Sequence, residues 1–154
     1  MFDDMRELYQ DVILEHGKNP RNRCCPAGAN RQALGQNPVC GDAFVIYLTV
    51  DEDNVVRDAG FKGEGCAISM ASASMMTEIV KGKTLEEANK LFETFQGMAT
   101  GNDDVETDGL DEDDLDRMQA LSGVRQFPIR VKCATLAWHT MQAAAEGKDG
   151  VTTE

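Results

Sequence analysis

The spacing of apolar residues changes period several times along the chain, and each change predicts an element. Met5, Leu8, Tyr9, Val12 and Ile13 recur at helical spacing behind Asp3 and Asp4, either of which can cap the start. They predict an amphipathic helix that ends near His16-Gly17, ahead of Pro20. The following "KNPRNRCCPAGANRQALGQNP" is rich in Pro, Asn, Gly and Arg and reads as loop. At Phe44 the period becomes two: Phe44, Ile46, Leu48 and Val50 alternate with Val45, Tyr47 and Thr49, the β-branched and aromatic pattern of a strand. "DEDN" is a turn, and Val55 to Lys62 reads as a second strand, antiparallel to the first.

Helical periods then dominate. "AISMASASMMTEIVKG" predicts a helix stopped by Gly82, with Ala and Ser small enough to admit a close neighbour. Thr84 and Glu87 form a capping box ahead of the stripe Leu85, Ala88, Leu91, Phe92, Phe95. An acidic connector, "TGNDDVETDGLDEDD", leads into a short helix with Leu115, Met118 and Leu121 inward and Gly123 as the stop. Ile129, Cys133, Leu136, Ala137, Thr140, Met141 and Ala144 share one face of a last helix, with Pro128 near its entrance. From Glu146 onward the chain is polar and is expected to fray. The pattern is α+β, an early helix and a small antiparallel sheet with several helices packed on it, in a single domain over residues 1–154.

Composition narrows the function. The 154 residues are enough for a hydrophobic core. Fifteen basic against 27 acidic residues give a net charge of −12, which repels phosphate backbones and argues against nucleic acid as a partner. No apolar run approaches the roughly 20 residues that span a bilayer. "MFDDMRELYQ" lacks the basic and apolar segments of a secretory signal, so the expected setting is cytoplasmic. Five cysteines cannot all pair within one chain, and there is no CxxC, which leaves metal binding, thiol chemistry or inert burial.

Three of the thiols stand at junctions between elements. Cys40 precedes the first strand, Cys66 lies between "GEG" and a helix, and Cys133 lies near the start of the last helix. In "NPVCGDAF", Cys40 and Asp42 flank Gly41, and residues two apart in an extended segment point the same way. Gly41 has no Cβ, so a third group can come close. That geometry serves a metal ion and equally a plain turn. Together Cys40, Asp42, Cys66 and Cys133 offer three sulfurs and one oxygen, a set that suits tetrahedral zinc. Helix N-termini also favour thiolates, the position expected for Cys66 and Cys133. Free cysteines are, however, among the most buried residue types, and simple space-filling is the alternative.

"NPVCGD", "FKGEGCAISMASASMMTEIVKGK", "FPIRVKCATLAW" and the early "YQDVILEHGKNPRN" resemble the SufU branch of the IscU/SufU (NifU N-terminal-like) family, in order and over nearly the whole chain. The resemblance implies an α+β fold with a three-stranded antiparallel sheet. It implies a role in iron–sulfur cluster biogenesis, with zinc held by Cys40, Asp42, Cys66 and Cys133. Cys40 would accept sulfur from a pyridoxal-phosphate-dependent, SufS-type cysteine desulfurase, and Arg130 would help release it before the sulfur passes to downstream assembly machinery. IscU-type scaffolds carry a His directly before the last cysteine, where this chain has Lys132. SufU proteins also carry an insertion between the second and third cysteine motifs, which the acidic stretch from about 101 to 123 resembles. The alternative within the family is a scaffold that assembles an iron–sulfur cluster on the same residues. Cys24 and Cys25 depart from the family pattern, as does Gly17, where an aromatic residue is common.

Overall fold

The computed structural model describes residues 13–38, 41–100, 110–122, 128–148 and 150–152. Helix α1 covers residues 13–18. Strands β1 (Arg31–Asn37), β2 (Asp42–Val50) and β3 (Val56–Glu64) follow, then α2 (Ala67–Val80), α3 (Leu85–Thr100), α4 (Glu112–Ser122), α5 (Pro128–Ala145) and β4 (Gly150–Thr152). The sheet order is β3-β2-β1-β4, with the β3–β2 and β2–β1 pairs antiparallel and β4 parallel to β1. The α+β class and the three-stranded antiparallel sheet are therefore as the family resemblance implied.

Two segments differ from the sequence reading. Residues 31–37, read as loop, form β1, and part of the tail expected to fray, Gly150–Thr152, forms β4. In β1 the inward positions are Ala33, Gly35 and Asn37, too small or too polar to register as an alternating apolar strand. Their smallness has a tertiary cause. A Cβ on Gly35 would lie 1.9 Å from Thr140 Oγ1, so α5 crosses β1 where glycine leaves room. The same helix end guides the tail back: Arg31 donates from Nη1 to the carbonyl of Ala145 at 2.6 Å, just before the chain turns into β4.

Of the expected first helix only residues 13–18 are described, and Asp3, Asp4, Met5, Leu8, Tyr9 and Val12 lie outside the described residues, as does the expected helix stop Gly123; the remaining elements expected from periodicity are present. Phe44, Ile46 and Leu48 of β2 point into the core with Phe61 of β3, and the Phe44 and Phe61 rings meet edge to face at 5.8 Å. Aromatic pairs in this geometry add to their area burial. Asp51 Oδ1 accepts from the amides of Asp53 and Val55 and so builds the hairpin turn. Both arms of the capping box at α3 are made, Thr84 N to Glu87 Oε1 and Glu87 N to Thr84 Oγ1, each 3.1 Å. Helices α5 and α2 cover one face of the sheet, and α3 packs on α5, where Phe95 stacks on Trp138 at 5.0 Å. Sandwiched in this way, α5 is buried continuously from Cys133 to Trp138, on more faces than a single amphipathic stripe supplies. Residues 101–109 of the acidic connector lie outside the described residues, and α4 follows it with Met118 and Leu121 buried.

Candidate metal centre

At one end of the sheet, β1, β2, α2 and α5 bring polar side chains into the protein interior. Asp42 is the first residue of β2 and is 2% exposed. Its Oδ1 accepts from the backbone N–H of Cys66 at 2.8 Å, and its Oδ2 accepts from Ser69 Oγ at 2.7 Å and from Asn37 Nδ2 at 3.3 Å. Cys66 is the N-cap of α2, and its sulfur accepts from the amide of Ser69 at 3.4 Å, a capping contact made with a thiol in place of a hydroxyl. Cys133 is 2% exposed, and its sulfur lies 3.6 Å from Asn37 Nδ2. Ser69 has one proton for two acceptors, the Asp42 carboxylate at 2.7 Å and the Cys133 carbonyl at 3.2 Å; the shorter, charge-assisted bond takes it.

One ligand atom each from Asp42, Cys66 and Cys133 falls within 4.8 Å of the others. Sulfurs bound to a tetrahedral zinc at ~2.3 Å stand about 3.8 Å apart, so little closure separates this arrangement from a metal site. The donor chemistry agrees: two thiols and a carboxylate, drawn into a buried site, are stabilised together by a divalent cation of intermediate softness. An acceptor-rich cluster of this kind fits a metal ion better than it fits inert packing.

The other anticipated residues fall as follows. Cys40 lies outside the described residues. Arg130 is exposed in the first turn of α5, three positions before Cys133 and hence on a neighbouring part of the same face. Cys133 itself is in the second turn of α5, whereas Cys66 caps the start of α2. Gly41 is needed for its backbone, φ +73°, and not for close approach, since a Cβ there would meet nothing within 4 Å. The close approach is at Gly65, where a Cβ would lie 2.6 Å from Asp42 Oδ1. Cys24 and Cys25 are exposed. His16 and His139 pack away from the cluster, His16 against Ser74 at 2.8 Å and His139 edge-on to Phe92 at 4.9 Å.

Sequence reasoning missed Asn37 and Ser69. Both carried a signal: Asn37 opens the "NPVCGD" motif, and Ser69 stands three residues after the cap, where side chains fold back on a helix start.

Residues 8–147 match the family described as NifU-like N-terminal domain. The chain belongs to that family. Among its relatives, the zinc-dependent sulfurtransferase SufU of Bacillus subtilis (strain 168) is 43% identical over 146 residues, 93% of this chain and 92% of the relative. The iron–sulfur cluster assembly scaffold protein IscU of Streptococcus pyogenes serotype M1 is 39% identical over 140 residues, 91% of this chain and 84% of the relative. A solved structure from Fervidobacterium islandicum AW-1, proposed as a cluster assembly scaffold for the SUF system, is 32% identical with a TM-score of 0.78, covering 90% of this chain and 97% of its own. These relatives are thus named for zinc-dependent sulfur transfer in one case and for iron–sulfur cluster assembly in the others. Among the described residues no helix is long and apolar enough to cross a membrane.

Proposed function

We propose that this protein is a zinc-bound sulfur acceptor in iron–sulfur cluster biogenesis, taking sulfur from the persulfide of a SufS-type cysteine desulfurase. The observation that carries the reading is the convergence of Asp42, Cys66 and Cys133, three of the four residues the motifs nominate, in one cluster where Asp42 and Cys133 are buried and Cys66 is half-buried. The name and likeness of the SufU relative support zinc and sulfur transfer together. Cys40 is the fourth ligand and the acceptor, on the strength of its place in the "CGD" motif.

When bound, zinc keeps its cysteine ligands deprotonated at neutral pH and shields them from oxidation. Asp42, Cys66 and Cys133 would hold the ion together with Cys40, and Cys40 would be the thiolate made available when the desulfurase docks. The Cys40 thiolate attacks the outer sulfur of the donor persulfide. A new sulfur–sulfur bond forms on Cys40, the donor's bond breaks, and the electron pair departs with the donor cysteine as thiolate, as in thiol–disulfide exchange. Arg130, exposed one turn before Cys133, supplies a cation for docking and for the freed thiolate.

The test is a desulfurase reaction with sulfur-labelled cysteine, with and without this protein, followed by location of the label. Faster turnover and label on Cys40, both lost in Cys40→Ala, are expected. Label on another thiol, or unchanged turnover, overturns the reading. The IscU relative favours a second function, cluster scaffolding on the same residues. Protein purified without oxygen separates the two: zinc without colour fits transfer, and an iron-dependent chromophore fits a scaffold.

A further inference from the structure

Asn37 is wholly buried at the end of β1, directly opposite Asp42 in the β1–β2 register. Its Nδ2 faces both Asp42 Oδ2, at 3.3 Å, and Cys133 Sγ, at 3.6 Å, while its Oδ1 is buried with no hydrogen-bond partner among the described residues. A buried amide oxygen left unpaired costs stability, so packing alone does not account for an amide at this position. The two donors of one Nδ2 group match the two acceptors. Rotating the amide by half a turn would aim its oxygen at a carboxylate and a sulfur, so acceptor would meet acceptor, and the orientation is set by chemistry.

We propose that Asn37 is a positioning residue of the metal centre: its amide bridges Asp42 and Cys133 and makes them the fixed half of the ligand set. Exchange is thereby left to the ligands outside the clamp. A donor hydrogen bond also withdraws charge from the Cys133 sulfur, so the metal sees a weaker thiolate donor there. This rests on the zinc-site reading above, and outer-shell partners of this kind typically govern metal affinity by about ten- to a hundred-fold.

The test uses the full chain with Asn37→Ala and Asn37→Leu, the second nearly filling the amide's volume without its donors. Three quantities are read: zinc affinity by competition with a chromophoric chelator, the sulfur-to-metal charge-transfer band of the cobalt(II)-substituted protein, and the thermal midpoint with and without zinc. Both variants are expected to bind zinc about ten- to a hundred-fold more weakly, with the cobalt band moved to lower energy. The metal-free midpoint of Asn37→Leu should stay at or above that of the natural protein, while the gain on adding zinc shrinks. If Asn37 only packs, Asn37→Ala lowers both midpoints equally, Asn37→Leu restores them, and affinity and spectrum match the natural protein; that result overturns the inference while the zinc reading stands. If the natural protein takes up neither zinc nor cobalt, the zinc reading fails and the inference with it.

Discussion

Ser69 and Ser74 lie on the same helix, both fully buried, and each sits at the middle of a polar cluster. Around Ser74 the hydrogen bonding balances. Its oxygen accepts the N–H of Arg21 at 2.8 Å and shares a hydrogen bond with His16 Nδ1 at 2.8 Å, the donor of that bond being set by the imidazole tautomer. The cation of Arg21 meets Glu15 at 2.5 Å and Glu78 at 4.0 Å. Around Ser69 the balance is absent: two sulfurs and a carboxylate crowd a few donors, and among the described residues a buried oxygen of Asn37 has no partner. The first cluster pins α1 and the loop after it to α2. The second invites a cation. Both centre on a fully buried serine of α2, but the Ser74 cluster reaches the surface through Arg21 and Glu15 while Asn37, Asp42 and Cys133 lie inside; the ratio of acceptors to donors separates a fastening from a site.

Asp42→Ala should break the comparison most severely. It strands the Cys66 amide and the Ser69 hydroxyl, costing about 1–3 kcal/mol without metal, and it removes zinc binding and sulfur transfer, as read by metal analysis and the labelled-sulfur assay. A chelator should lower the thermal midpoint of the natural protein and leave that of Asp42→Ala unmoved. Next come the two serines. Ser69→Ala and Ser74→Ala should each cost about 1–3 kcal/mol in urea unfolding, but only Ser69→Ala should weaken zinc in chelator competition. Equal weakening by both would erase the distinction.

Acid should act on the Ser74 side. Burial, and then the Arg21 charge, hold the His16 pKa below its ordinary value against the pull of Glu78 and Glu15, and burial does the same for His139. The unfolded chain therefore takes up protons first as pH falls below about 6.5. Stability is full above that value and declines until the folded-state pKa values are passed. The urea midpoint should fall between pH 7.5 and 5.5, and should fall less in a His16→Gln, His139→Gln double variant; an unchanged slope would assign the effect elsewhere. Glu15, Asp51 and Glu146, whose pKa values are lowered chiefly by hydrogen bonds, act only at more acid pH and fall outside this window. The smallest effect should come from Thr84→Ala, which opens the α3 capping box for about 1 kcal/mol and touches neither cluster.

Much of this architecture was legible in particular residues. The alternation from Phe44 to Val50 announced β2, the Thr84 and Glu87 pair announced the start of α3, and the "CGD", "GEGC" and "VKC" contexts nominated the ligands. Strand β1 was not legible, because Gly35 yields its side-chain volume to Thr140 of α5, and a strand whose inward residues are Ala, Gly and Asn has no apolar rhythm. Asn37 was hidden for the same reason.

What the amino-acid order determined by itself is whatever depends on neighbours within a turn or two: helix periods, caps, the hairpin turn, and which residues carry ligand-forming atoms. Only the tertiary structure decided which of those atoms meet, since Asn37, Asp42, Cys66, Ser69 and Cys133 come from β1, β2, α2 and α5 and touch because a helix crosses a strand at a glycine. Local periodicity records burial but not distance between segments far apart in the chain, and the chemistry of this centre is a matter of distance.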